Sequence, residues 1–238
     1  MKNSNPIGII GAMDIEIETL KSAIVNPKTE QIGDMTFYSG TINDKAVIVV
    51  KCGIGKVNAA RCAQTLGDRY SVSAIINTGI GGGIGDGLNV GDLVIASSLV
   101  QHDFDVTGFG YAKGYMFVGD KNKATEYVAD EKLTKLIERA ALKYIPCEHL
   151  KSGIIATGDV FVSNAEKKQE IKNNFNALVT EMEGGAIAQT ACANNIPFAV
   201  VRALSDLADG SAAESYETFE KETAHLCATI IQSFLELV

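Results

Sequence analysis

The sequence predicts an α/β fold, a three-layer α/β/α sandwich around a central mixed, mostly parallel sheet. Three observations lead there. Apolar runs of strand length alternate with helical periodicity through most of the 238 residues, the order that yields strands covered by helices on both faces. The run Ala74-Ile-Ile-Asn-Thr78 has the near-continuous apolar character of a strand buried on both sides. Thr36–Gly40 and Ala46–Val50 flank Asn43-Asp44, a hairpin signal that makes the sheet mixed.

Taken in order, Ile7–Gly11 is the first strand, and a helix through Glu16, Leu20 and Ile24 follows. That helix is expected to end near Asn26-Pro27, because proline cannot continue it. After the hairpin, the turn Cys52-Gly-Ile-Gly-Lys56 opens an alanine-rich helix from Val57 to Leu66. Beyond Ala74–Thr78 comes the glycine stretch Gly79–Gly87. It reads either as a backbone platform for a ribose or small anion, using glycine's freedom at positive φ, or as a tight structural turn. It matches neither the P-loop nor the dinucleotide fingerprint. Asp92–Val100 is a strand, and His102 to about Asp120 is a polar, aromatic loop long enough to serve in binding. Helices over Glu131–Tyr144 and Lys167–Asn174 flank a strand at Ser152–Thr157. Strands Ala177–Thr180 and Phe198–Leu204 come next, and a helix from Tyr216 to Leu235 closes the chain. No repeat or linker divides it, so one domain over residues 1–238 is expected.

Composition narrows the function. A formal net charge of −8 with no basic stripe argues against nucleic-acid partners, whose recognition rests on Lys and Arg. The start, Met1-Lys-Asn-Ser-Asn-Pro6, leads into an apolar run too short and glycine-broken for a signal peptide, and no segment reaches membrane-spanning length. A cytoplasmic protein without a membrane partner is expected. The 5 cysteines and 3 histidines show no metal-ligand spacing, so reduced thiols, no metal and no cofactor are expected.

Three acids, Glu16, Glu183 and Asp206, each follow a short apolar run, where open α/β sheets present groups to a shared crevice. Acids in the first turn of a helix also satisfy unpaired amides and the helix dipole, so capping is the alternative for each. Met13 before Glu16, Met182 between Glu181 and Glu183, and Ser205 before Asp206 are neighbours that capping does not require. Carboxylates gathered in one crevice repel one another unless protonation, a ligand or a cation intervenes, and Arg202 is the candidate cation.

Six ordered segments carry a resemblance that spans the chain: Gly8-Ile-Ile-Gly-Ala-Met-Asp-Ile-Glu16, Cys52–Lys56, Ile76-Asn-Thr-Gly79, Asp105-Val-Thr-Gly-Phe-Gly-Tyr111, Glu181-Met-Glu183 and Val201-Arg-Ala-Leu-Ser-Asp-Leu-Ala-Asp209. The sequence resembles the 5′-methylthioadenosine/S-adenosylhomocysteine nucleosidases of the nucleoside phosphorylase superfamily. The resemblance implies hydrolysis of the bond between adenine N9 and ribose in adenosine thioethers, serving methionine salvage, with water as co-substrate. It makes Asp206 the acid that protonates adenine, oriented by Ser205, and Glu16 the base that activates water, with Arg202 positioning that water or Glu16. Glu183 accepts from the ribose hydroxyls, Met182 packs on the ribose, Phe161 stacks on the base and the backbone of Val162 reads its edge. Met13 and Tyr216 surround the 5′-alkylthio group, while Ile80, Gly82, Glu181 and Ala208 complete the binding set. Val106 and Phe109 lie in a loop, continuing to Phe117, that reaches the neighbouring pocket of a homodimer. Ile80 stands where relatives often have Ser, Phe117 where Pro is common, and Tyr216 where Phe is frequent, which leaves the preference for the 5′-substituent open. For Phe161 the alternative is core packing. Rival functions are aminodeoxyfutalosine hydrolysis, phosphate-dependent phosphorolysis and non-catalytic adenosine binding.

Overall fold

The computed structural model describes residues 5–210 and 212–238, so residues 1–4 of the amino-terminal reading lie outside it. The elements, in chain order, are β1 (Ile7–Gly11), α1 (Asp14–Ser22), β2 (Val25–Ile32), β3 (Met35–Ile42), β4 (Lys45–Lys51), α2 (Lys56–Tyr70), β5 (Ala74–Gly83), β6 (Leu93–Gln101), β7 (Tyr127–Val128), α3 (Glu131–Ala141), β8 (Leu150–Thr157), α4 (Ala165–Phe175), β9 (Ala177–Glu181), α5 (Gly184–Ala193), β10 (Phe198–Asp206) and α6 (Ala212–Leu237). Short 3₁₀ turns occupy Thr107–Phe109 and Cys147–His149.

One mixed sheet joins the strands in the order β10-β6-β8-β9-β5-β1-β4-β3-β2, with β7 against β6. β5 also pairs with β10 in parallel, so β5, β10, β6, β8 and β9 close into a ring. The parallel pairs β1–β4, β1–β5, β5–β10, β6–β8 and β8–β9 make the centre. Antiparallel pairs build the edge hairpins and close the ring at β5–β9 and β6–β10. The longest ladders, β5–β10 and β6–β8, are parallel, and the sheet is mixed as expected.

The helices cover both faces. Ala59, Cys62, Ala63 and Leu66 of α2 pack with Ala186, Ile187 and Ala191 of α5 against one side. Ile17 and Leu20 of α1, Ile137 of α3, and Ile231 and Phe234 of α6 cover the other. The expected hairpin is present, with Asn43 and Asp44 at φ of 50° and 59°, the left-handed pair that a two-residue turn of this twist needs.

Two elements differ from expectation. The first helix stops at Ser22, and Val25–Ile32 is an edge strand. Its residues are largely exposed, so no apolar alternation marks it, and Pro27 is tolerated where the ladder shifts between Val25 and Lys28. The glycine stretch begins as strand: β5 runs on through Gly79, Gly81, Gly82 and Gly83. Of the Gly79–Gly87 glycines only Gly87 has positive φ, so these strand glycines supply space and not turn geometry. No helix among the described residues is long and apolar enough to cross a membrane.

Because Ile76 is fully buried in the central strand, Ile76→Ala is expected to destabilise by about 2–5 kcal/mol. Thr29→Ala on the exposed edge strand should stay within about 0.5 kcal/mol. Urea midpoints at unchanged slope check both; equal effects would refute the layered core.

Candidate active site

Where β1, β5, β9 and β10 end, their carboxyl-terminal residues and the segments beyond them wall a cavity of about 480 Å³. Glu16, Glu183 and Asp206 all face it, so the structure brings together the three acids of the sequence reading. Each is held differently.

Glu16 sits in the first turn of α1. Its Oε2 accepts the N–H groups of Ala12 at 2.6 Å and Met13 at 3.1 Å, and its Oε1 accepts the N–H of Ile80 at 3.0 Å. It therefore caps its own helix and also reaches the cavity, so both readings hold for one side chain. Burial pushes its carboxyl above the ordinary range, against the opposing pull of Arg202 and those three N–H groups. Gly79 makes the arrangement possible, since a Cβ there would overlap the Glu16 carboxylate and stand 2.6 Å from Arg202 Nη1.

Asp206 ends β10 just past a bulge, where the β10–β5 register shifts between Leu204 and Asp206. A bulge re-aims the side chain that follows it. Oδ1 accepts the Ala208 N–H at 2.8 Å, and Ser205 Oγ donates to Oδ2 at 2.9 Å. The next helix begins only at Ala212, so capping does not account for this acid. Burial raises its pKa, and the Ala208 and Ser205 hydrogen bonds oppose the rise. Gly82 leaves room for it: a Cβ there would lie 2.9 Å from Oδ1.

Glu183 opens α5, yet its side chain turns away from the helix and accepts the Gly55 N–H at 2.9 Å. Burial, then the neighbouring Glu181 charge, push it up to about 8. The capping falls instead to Glu181, whose Oε2 accepts the N–H groups of Glu183 at 3.1 Å and Gly184 at 2.7 Å. Arg202 Nη2 and the Thr157 hydroxyl also donate to Glu181. Burial opposes its charge, but Arg202 holds it below the usual carboxylate range. Both of its oxygens are thus engaged by groups of the protein, and Glu181 lines the cavity as wall and anchor.

Arg202 is fully buried and does not line the cavity. Its Nη2 donates to Asn77 Oδ1 at 2.7 Å and lies 3.6 Å from Glu183 Oε2. It stands behind the wall, with Nη1 and the Glu16 carboxylate both beside Gly79. No hydrogen bond joins it to Glu16 among the described residues, and it acts on Glu16, Glu181 and Glu183 as a buried cation.

Around these acids, Met13, Ile80, Gly82, Phe161, Val162, Met182, Ser205 and Tyr216 line the cavity as expected. Phe161 is 48% exposed and meets Tyr216 edge-on at 6.0 Å, which removes core packing as its explanation. Tyr216 donates its hydroxyl to Met13 Sδ at 3.1 Å, and burial pushes its phenol up to about 12. Ala208 is buried and serves through its N–H. Val106 and Phe109 do not line the cavity, and Phe109 is 78% exposed. The sequence reading missed Ile54, Val160, Ala213 and Glu217 on the wall, and Asn77 behind it. Asn77 left a signal as a polar residue inside an otherwise apolar strand run, and Ile54 lies within the Cys52–Lys56 segment. No group of three or more His, Cys, Asp or Glu side chains among the described residues is placed to hold a metal ion.

Residues 6–236 match the profile of the phosphorylase superfamily. A Staphylococcus saprophyticus 5′-methylthioadenosine/S-adenosylhomocysteine nucleosidase is 39% identical over 235 residues, covering 98% of this chain and 100% of that protein. The crystal structure of S-adenosylhomocysteine nucleosidase from Streptococcus pyogenes, in complex with 5-methylthiotubericidin, superposes with a TM-score of 0.92 at 36% identity, covering 99% and 98% of the two chains. The Neisseria meningitidis nucleosidase bound to methylthio-immucillin-A gives 0.91 at 35% identity, covering 98% and 100%. By sequence and by structure, the chain belongs to the 5′-methylthioadenosine/S-adenosylhomocysteine nucleosidases of the phosphorylase superfamily.

Proposed function

We propose that the whole chain acts as one nucleosidase domain that hydrolyses the bond between adenine N9 and C1′ of 5′-methylthioadenosine and S-adenosylhomocysteine, releasing adenine and the 5′-thioribose product. One observation carries this reading: the cavity gathers Glu16, Glu183 and Asp206, while no Lys or Arg lines it among the described residues. Such a wall repels a phosphate dianion and suits a neutral water that a carboxylate can deprotonate. The ligand is a small adenosine-type molecule, in keeping with the analogues bound by the two solved relatives.

In this reading Phe161 stacks on adenine, the Val162 backbone meets the base edge, Met182 packs on the ribose, and Met13 and Tyr216 enclose the 5′-thio group. Asp206 gives its proton to the adenine ring, so the base leaves neutral as the C1′–N9 bond breaks. Glu16 takes a proton from water, and the water oxygen bonds to C1′. Glu183 faces the ribose hydroxyls, and its ionised form stabilises positive charge developing on the sugar. Glu16 is held by the Ile80 N–H and Asp206 lies beside Gly82, two residues further along β5. Ile80 contributes its backbone N–H, so the serine frequent in relatives is not needed to hold the base.

Purified protein should release adenine from 5′-methylthioadenosine without phosphate. Glu16→Gln and Asp206→Asn should each lower kcat by roughly 10²- to 10⁴-fold with the circular dichroism spectrum unchanged. Strict phosphate dependence would overturn the hydrolase in favour of a phosphorylase.

The rate should also follow a bell against pH. Activity needs Glu16 and Glu183 ionised and Asp206 protonated, so kcat/KM rises as the two glutamates lose their protons and falls as Asp206 loses its own, all above the ordinary carboxylate range. Ser205→Ala removes a hydrogen bond that favours ionised Asp206, and the alkaline limb should move to higher pH. If neither limb moves, Asp206 is not the titrating acid.

We further propose a homodimer in which the loop from Val106 to Phe117 lies near the partner's pocket. Phe109 and Phe117 are 78% and 61% exposed, and Phe117 packs against Tyr111 and Tyr115, a surface suited to burial against another chain. Sedimentation should return twice the 25.3 kDa chain mass, and Phe109→Ala should raise KM. A monomer with full activity would rule the arrangement out.

A further inference from the structure

Residues 158–164, between β8 and α4, carry Phe161 and Val162 to the cavity, and the segment is fastened near its start. The Gly158 N–H donates to the Glu181 carbonyl at 3.0 Å. The Asp159 N–H donates to Asp103 Oδ2 at 2.9 Å, and Asp159 Oδ1 accepts the Lys56 N–H at 2.8 Å. Lys56 Nζ closes the circuit, donating to Asp103 Oδ1 at 2.6 Å and Gln101 Oε1 at 3.3 Å. The residue before it, Gly55, gives its N–H to Glu183. Two successive N–H groups at the start of α2 therefore hold the carboxylate on the sugar side and the loop on the base side.

The backbone is shaped for this. Gly55 has φ of 99°, open to glycine and strained for other residues, and a Cβ there would lie 3.1 Å from Asp159 Oδ1. At the loop's root, a Cβ on Gly158 would overlap the buried His102 ring, so the segment has no room to settle inward. Asp103 belongs to the stretch that leads into the loop containing Val106 and Phe109, which brings three segments to one circuit.

We infer that Asp159 is a positioning residue: with Lys56 and Asp103 it clamps the base-stacking loop to the helix that holds Glu183, setting the distance between the base and sugar subsites. This rests on the nucleosidase reading of the cavity. The competing role is that of a helix cap, which contributes to stability alone. The two roles separate kinetically, because contacts to the base are made before and during bond cleavage alike, and their loss appears in KM with kcat retained.

The chain has no tryptophan, so Phe161→Trp introduces a single fluorescent reporter on the loop. In the ligand-free protein, acrylamide quenching of that reporter should rise when Asp159→Ala is added. With native Phe161, Asp159→Ala should raise KM for 5′-methylthioadenosine about ten- to hundredfold with kcat within about threefold, the loss expected for a hydrogen bond to a charged group. Asp159→Asn, whose amide oxygen still accepts the Lys56 N–H, should recover most of that KM. Unchanged quenching, or a lower melting temperature with KM intact, would overturn the clamp and leave a cap. An unmodified protein that releases no adenine would instead defeat the nucleosidase reading, and quenching alone would then decide the clamp.

Discussion

The guanidinium of Arg202 is the charge around which the site is assembled. It lies fully buried, bonded to Glu181 and Asn77 and near Glu183. A buried ion is costly unless its partners are close and well directed. Here the surrounding carboxylates hold the guanidinium protonated even against burial. Glu181 answers most directly, and it in turn holds the start of α5 and the Thr157 hydroxyl. Asn77 extends the network to β1 by donating to the Ile10 carbonyl at 3.0 Å. One cation thus links β10, β9, β5 and β1, the strands whose ends carry or brace the reactive acids.

The environments then divide the acids by proton affinity. Glu181 takes the strongest share of Arg202 and stays ionised. Glu183, next in sequence but one, is left with a single N–H and a like charge beside it. Asp206 is bonded, among the described residues, to its own neighbours Ser205 and Ala208. Separation of proton affinities among nearby carboxyls is what lets one fold run acid and base steps near neutral pH. Part of the cost falls on the backbone, where Ala208 takes φ of 49° to bring its N–H onto Asp206, a conformation unfavourable for a residue with a Cβ.

Much of this was legible in the chain, for identifiable reasons. Strands such as Ile7–Gly11 and Ala74–Thr78 are buried on both faces, so their character is local and needs no partner to be seen. The three acids showed themselves because strand ends are where such sheets expose chemistry. Edge strand β2 stayed hidden because Asn26, Lys28, Thr29 and Gln31 face solvent, and an exposed strand leaves no periodic apolar trace. The stretch with Gly79 and Gly82 reads in sequence as a ligand platform or a tight turn, both resting on glycine's freedom in φ, whereas here the missing Cβ makes room for Glu16 and Asp206. The role of Arg202 depends on partners 21 and 125 positions away, a relation that local spacing cannot express. For the same reason nothing nearby in sequence links Lys56 to Asp159.

The ring of β5, β10, β6, β8 and β9 bears on how such a pocket is entered. Backbone ladders join each of these strands to the next around a complete circuit, so the walls bearing Asp206 and Glu181 cannot swing apart as two lobes do about a hinge. Passage of a nucleoside in, and of a purine out, must therefore be governed at the rim by short peripheral segments and rotating side chains. The rigid interior is left to keep its electrostatics constant from one turnover to the next.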